Sequence, residues 1–392
     1  MVDYAVAGAV DLVLLSGDVI DRDNRYYEAS GALQEGFARL RDNGIKVFMV
    51  SGNHDFDVLP QVLRNHPFDN VHLLGAGGRW EAKRYERPGE AIQLVGWSYP
   101  EQYVLVNPLP QLALLPLDPN LKRIGLVHAD VDNLESRYGP VPLADLQTAD
   151  VDAWMLGHIH KPLTFGGSKI IRYPGSPQSL SAKEPGAHGA LLLTVNGSQA
   201  IEATAVDFSN CRFERLQVDI TTVDSKESLR GLIETELSVN ANDRLAELGG
   251  VAYLVYDLYL MGQHSKAREI REWADPILNS NDLTLATGTR LYVRGITTAI
   301  RPTVENLDLL ANENSPAGLL AQTILAIRYG NTTPFLEGLV REWERQFRGI
   351  TNSPVYQPLQ DGWQRNGNPR KAKDFIAAEC NRLLAELLFP VN

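Results

Sequence analysis

Three short stretches hold the residues best able to do chemistry: Gly17-Asp18 with Asp21 close behind, Gly52-Asn53-His54-Asp55, and Gly157-His158-Ile159-His160. With the lone His128 of Leu-Val-His-Ala-Asp they supply carboxylate, amide and imidazole donors, a set suited to manganese, iron or zinc. An aspartate can bridge two cations, an asparagine offers a neutral carbonyl oxygen, and paired divalent cations are a recurrent means of hydrolysing phosphoesters. A glycine-aspartate or glycine-histidine pair alone is an ordinary turn; the information lies in the ordered set.

The elements that must position these residues are strands. Apolar, β-rich runs at Leu12–Leu15, Lys46–Val50, Val71–Leu74, Ile92–Gly96, Ile124–Val127, Ala153–Leu156, Ile170–Tyr173 and Ala190–Val195 alternate with helical patterns, which is an α/β layout. The spacing predicts a helix over Tyr26–Asn43, stopped by Asn43-Gly44. Asp18, Asn53 with His54, His128, and His158 with His160 then each follow the end of a strand, and ligands gathered at strand ends share one edge of a sheet.

After about residue 205 the pattern changes. Strand-like Arg215–Ile220, Val251–Leu260 and Arg290–Thr297 are separated by helical patterns over Lys226–Leu248 and Ser265–Leu278, which predicts a smaller α/β domain. From about 303 the chain turns helical, with Ser315-Pro316 as a helix start and Gly330 as a stop. Pro369 opens a last helix whose Phe375, Ile376, Cys380, Leu383, Leu384, Leu387 and Leu388 form one stripe. That stripe either packs on its own domain or docks a partner.

A chain of 392 residues with 44% hydrophobic content can bury a sizeable core and divide into two or three domains. It has no apolar run of about 18 residues, and its start lacks the basic and apolar regions of a signal peptide, so a cytoplasmic protein with no membrane partner is expected. Cys211 and Cys380 give no disulfide framework and read as buried fillers. The formal net charge of −11 runs against DNA binding, since that affinity comes largely from Lys and Arg. Bound divalent cations and a partner subunit would have to supply the missing positive charge.

The order GDxxD, GNHD, LVHAD and GHIH resembles the calcineurin-like metallophosphoesterase superfamily. The continuation Tyr173-Pro174-Gly175-Ser176-Pro177, followed by a small α/β region, is more narrowly similar to bacterial SbcD-type DNA-repair nucleases. The resemblance implies an α/β fold built on a β-sandwich flanked by helices. It further implies a nuclease domain over 1–205, a smaller α/β capping domain over 206–302 and a helical region over 303–392. Carried over by position, Asp18 bridges two metals, Asn53, His128 and His158 complete one site, and His160 serves the other. His54 protonates the leaving oxygen or stabilises the charge of the transition state, and Asp55 orients it. Two divalent cations, manganese by preference, are the implied cofactors; DNA and an SbcC-like coiled-coil ATPase are the implied partners, with monomer and homodimer both open.

No Asp-x-His occurs anywhere in the sequence, although the family pattern places one on a strand ahead of the GDxxD segment. A gene start set too late is the expected cause. The remaining ligands lead to an expectation of one firm metal site, from Asp18, Asn53, His128 and His158, and one weak site at His160. A strand edge with apolar neighbours should also be open. The function expected is thus a metal-dependent phosphodiesterase, as an exonuclease or endonuclease subunit in DNA repair. The alternatives are a phosphoesterase for nucleotides or other small substrates, and a catalytically impaired structural partner of the ATPase.

Other features admit plainer readings. Asp21 fits a supporting role at the site or a loop carboxylate equally well, and His66, His72, His188 and His264 read as ordinary core or surface histidines. Pro174-Gly175-Ser176-Pro177 reads as a tight turn at the cleft. Over Arg341–Lys373, basic residues outnumber acidic ones among Trp343, Phe347, Tyr356 and Trp363, which suits either nucleic-acid contact or a solvated face over packed aromatics.

Overall fold

The structure, a computed structural model, describes residues 1–21, 28–196, 200–264, 266–274, 283–301, 307–351 and 369–388. The chain divides into two compact units. One comprises Met1–Glu214, Asn242–Tyr256 and Asp282–Tyr292, the other Arg215–Ala241, Asp257–Asn281 and Val293–Asn392.

The first unit opens with α1 (Val2–Ala7), β1 (Leu12–Ser16), α2 (Glu28–Asp42), β2 (Lys46–Val50), α3 (Val58–Asn65) and β3 (Val71–Leu73). The three strands form a parallel sheet in which Ser16 lies opposite Val50. There follow β4 (Trp80–Arg87), β5 (Glu90–Trp97), β6 (Lys122–His128), β7 (Asp130–Val131), β8 (Pro140–Val141), α4 (Leu143–Thr148), β9 (Ala153–Gly157), β10 (Leu163–Phe165), β11 (Ile170–Tyr173), β12 (Gly189–Thr194) and β13 (Glu202–Asp207). A second sheet runs β10-β11-β9-β6-β5-β4, its four inner strands parallel and its two edges antiparallel.

Side-chain alternation, which follows from the two-residue repeat of a strand, explains the layers. On β2, Phe48 and Val50 join Leu94, Ile124, Leu126, Ala153 and Met155 in a core between the two sheets. Val47 and Met49, on the opposite face, pack with Phe37, Leu40, Leu59 and Val62 of the helices α2 and α3. The outer face of the second sheet carries Trp97, Val127, Trp154, Leu156 and Tyr173. Three apolar layers therefore hold two sheets in a sandwich with helices outside, the expected α/β class. β1 pairs only with β2 among the described residues. Beside β1 runs a mostly apolar groove lined by Tyr4, Leu12, Leu14, Ile92, Leu191 and Leu193, and no histidine lines it.

β14 (Cys211–Asp219), β15 (Tyr253–Gln263), β16 (Leu283–Thr284) and β17 (Arg290–Arg301) form a four-stranded sheet ordered β14-β15-β17-β16. The second unit holds α5 (Lys226–Asn242), α6 (Ala267–Ala274), α7 (Leu307–Leu310), α8 (Pro316–Arg328), α9 (Pro334–Thr351) and α10 (Pro369–Leu388). On α5, Leu229, Ile233, Leu237 and Ala241 are buried at four-residue spacing, one face of a helix. Ser315 caps α8 by accepting the N–H of Gly318, and Gly330 stands just past its end at φ 72°, as the sequence predicts. The stripe on α10 divides. Ile376, Cys380 and Leu384 are buried with Ala321, Ile324 and Leu336, whereas Phe375, Leu383 and Leu387 remain exposed.

Two expectations need correction. The helix expected to reach Leu248 ends at Asn242, and a short 3-10 turn covers Leu245–Glu247. Cys211 is only half-buried, unlike Cys380. Trp343 and Phe347 stack on each other 4.8 Å apart, which favours packed aromatics there over bases, while Tyr356 and Trp363 lie outside the described residues, as do Tyr26 and Tyr27. No helix among the described residues is long and apolar enough to cross a membrane.

Candidate metal centre

Parallel strands in register bring their C-terminal ends together, and here two such pairs meet. β1 and β2 end at Ser16 and Val50, directly opposite each other, and His128 at the end of β6 lies opposite Gly157 at the end of β9. The loops that follow carry Asp18, Asn53 and His158. Asp18 and His158 have φ of 53° and 101°, a left-handed region that non-glycine residues enter at a cost of order 1–3 kcal/mol, so each turn is held by its surroundings.

His128 is the centre of the arrangement and is completely buried. Its Nδ1–H donates to the Ser16 carbonyl at 3.0 Å, so in the neutral ring Nε2 carries a lone pair. That nitrogen faces Asn53 Oδ1 at 3.0 Å and Asp18 Oδ2 at 3.1 Å. Three electron-pair donors converging on one buried point is the condition a cation satisfies. Donor atoms of Asp18, His128 and His158, three of the four residues expected for the firm site, all lie within 4.8 Å of one another. Burial draws the His158 imidazole down to about 4, with the neighbouring His128 adding to the effect, so its ring is neutral near pH 7 and offers a lone pair. Burial pushes the Asp18 carboxyl up, but the His128 ring and the His54 N–H outweigh it and leave Asp18 below the usual carboxylate range. The donors present therefore fit a divalent cation of the manganese, iron or zinc kind.

The glycines that open two of the motifs now have a reason. A Cβ at Gly52 would overlap Asp18 Oδ1 and stand 2.7 Å from the His128 ring, and one at Gly157 would overlap the Ser16 carbonyl. Only a residue without a side chain lets the two loops close on the imidazole.

Asp18, Asn53, His54, Tyr138, His158, His160, Lys161 and Glu184 line one open cleft. The main-chain N–H of His54 donates to Asp18 Oδ1 at 2.9 Å, while its ring, 45% exposed, lies with Nδ1 3.0 Å from Asp21 Oδ1. Asp21, not Asp55, is thus the carboxylate that orients His54. Asp55 is fully buried and accepts the N–H groups of Gly52 at 2.7 Å and Val19 at 2.8 Å, tying the GDxxD and GNHD loops together. Burial pushes its carboxyl up to about 6, against the pull of those two N–H groups. Asp55→Ala is expected to cost about 1–3 kcal/mol in thermal denaturation, because two buried N–H groups lose their acceptor. Asp21→Ala should leave stability unchanged and lower turnover; equal melting-point losses in both variants would refute this division.

His160 stands apart from the donor cluster, its Nδ1 2.9 Å from Glu184 Oε1. The Pro-Gly-Ser-Pro turn reaches it from the other side, Ser176 N–H donating to the His160 carbonyl at 2.8 Å. Ser16, Tyr138, Lys161 and Glu184 carry no motif spacing and were not legible as site residues. Tyr138, for instance, packs its ring 5.0 Å from that of His158.

Residues 1–162 match the model of the calcineurin-like phosphoesterase family. That stretch is similar to a metallophosphoesterase domain. The Bacillus subtilis (strain 168) protein described as an uncharacterized metallophosphoesterase, YhaO, is 30% identical over 242 residues, which span 61% of this chain and 58% of that protein. The match thus covers little more than half of the relative's length. A hydrolase of phosphoester bonds that uses divalent metal is the activity such a domain supports.

Proposed function

We propose that the chain is a metal-dependent phosphodiesterase that cuts DNA, working with an SbcC-like coiled-coil ATPase. The observation that carries the hydrolytic part is the convergence of Asp18, Asn53, His128 and His158 on one point, with His54 in the same cleft. A divalent cation held there would offset charge on a phosphoryl oxygen and make water a stronger nucleophile. Asp18 uses one oxygen toward His128 and the other toward the His54 N–H, so the ligand set and the acid–base group share a carboxylate. Asp21 accepts the Nδ1–H of the His54 ring, so that Nε2–H of the doubly protonated imidazolium would give its proton to the leaving oxygen or stabilise its charge. Lys161 adds a cation at the cleft wall.

The choice of DNA is supported by the similarity of the Pro174-Gly175-Ser176-Pro177 turn, and of the small α/β region after it, to SbcD-type nucleases. The partner is supported by two features. The net charge of −11 leaves the chain a poor DNA binder on its own, and Phe375, Leu383 and Leu387 on α10 offer an exposed apolar face to a coiled coil. The test incubates the protein with manganese and either linear duplex DNA or an aryl phosphodiester, with and without such an ATPase. DNA shortening that is abolished by EDTA is the expected result. Hydrolysis of the aryl diester with no DNA cleavage in any combination would replace DNA by a small substrate.

A further inference from the structure

Glu184 belongs to none of the motifs, yet it lines the cleft and meets one of the histidines. Its Oε1 lies 2.9 Å from His160 Nδ1, and its Oε2 accepts the Leu180 N–H at 2.8 Å. A carboxylate can only accept, so the contact requires the proton on His160 Nδ1 and leaves Nε2 with its lone pair. The backbone around Glu184 is fixed as well. Its N–H donates to the Ser181 carbonyl at 3.0 Å, and its own carbonyl accepts the Ser179 hydroxyl at 2.9 Å. The side chain is only 19% exposed. His160 is held at its other end by Ser176, and the buried His188 sits with Nδ1 3.1 Å from the Ser176 carbonyl. The loop from Ser176 to His188 is therefore built around both ends of His160.

We propose that Glu184 is a positioning residue for metal binding: by accepting the Nδ1–H of His160 it fixes the tautomer whose Nε2 can bind a divalent cation. The affinity of the site at His160 is then set by a loop carboxylate and not by the strand-end motif alone. Outer partners of this kind hold an imidazole's orientation and raise its basicity, and their loss weakens metal binding by about 10–100-fold. The inference rests on the phosphoesterase reading only in taking His160 as a ligand.

The test has two readouts that need no substrate. Long-range ¹⁵N NMR of metal-free protein at about pH 8.5, some two units above the ordinary histidine value, should show His160 in the Nδ1–H form, and Glu184→Ala should lose that preference. Equilibrium dialysis with manganese should show Glu184→Ala binding its weaker equivalent about 10–100-fold less tightly, with the tighter one unchanged. Glu184→Gln keeps an acceptor oxygen, so it should keep the tautomer and lose less affinity. If the alanine variant fails to fold, the glutamine variant decides: a tautomer kept while affinity falls by about 10-fold or more, or a tautomer lost while affinity stays that of the wild type, overturns the proposal. It is also overturned if Glu184→Ala keeps the tautomer, keeps the affinity, or loses both equivalents alike. A His160→Ala control separates the two readings. Weaker manganese binding in His160→Ala but not in Glu184→Ala rejects the role of Glu184, and no change in either rejects His160 as a ligand.

Discussion

Replacing His54 by alanine is expected to slow phosphodiester hydrolysis by about 10²–10⁴-fold, the usual contribution of a positioned acid or base, while metal content stays that of the wild type. The reason is a division of labour within one residue. What His54 gives to the ligand set is its main-chain N–H, bonded to Asp18 Oδ1, and alanine keeps that group. What alanine removes is the ring, which lies in the open cleft against Asp21 and outside the cluster of Asp18, His128 and His158. His158→Ala should do the reverse, since it deletes one of three clustered donors and should lower metal content and rate together. Elemental analysis beside a rate on an aryl phosphodiester decides the matter: equal metal loss in the two variants would place His54 among the ligands and sink the acid–base role.

The difference between what was legible in the sequence and what was not follows from which contacts have a period. Strands such as Lys46–Val50 and Ala153–Gly157 were legible because their alternate residues enter different apolar layers, and the motif loops were legible because parallel strands end side by side. β4 escaped because Lys83, Arg84, Glu86 and Arg87 are exposed on a sheet edge and dilute any apolar alternation. Partners across a loop have no period at all. Adjacency pairs His54 with Asp55, but neighbouring side chains diverge where a strand ends: Asp55 turned inward to two N–H groups, and Asp21 came in from the other loop. Glu184 reaches His160 across 24 residues of turns and short strands, a separation that no local pattern encodes.

Gly52→Ala should have an effect as large as deleting a ligand, although it removes no donor. The new Cβ would overlap Asp18 Oδ1 and lie 2.7 Å from both Cε1 and Nδ1 of His128, closer than real Cβ atoms come to any neighbour. Neither neighbour has room to yield. His128 is fully buried, fixed on one side by the Ser16 carbonyl and flanked edge-on by the Tyr99 ring at 5.4 Å, and Asp18 is anchored by the His54 N–H. The loop must therefore move, at an overpacking cost of about 1–3 kcal/mol. That movement separates Asn53, the next residue, from His128 Nε2. The variant should remain folded at room temperature, melt lower, and hold little metal. Gly31→Ala is the control, since nothing lies near a Cβ there on α2, and it should be neutral or slightly stabilising. Melting curves and metal content measured together separate the outcomes. A Gly52→Ala protein that melts lower but binds metal as the wild type does would show that the close approach of the two loops serves packing alone, and that the centre tolerates their separation.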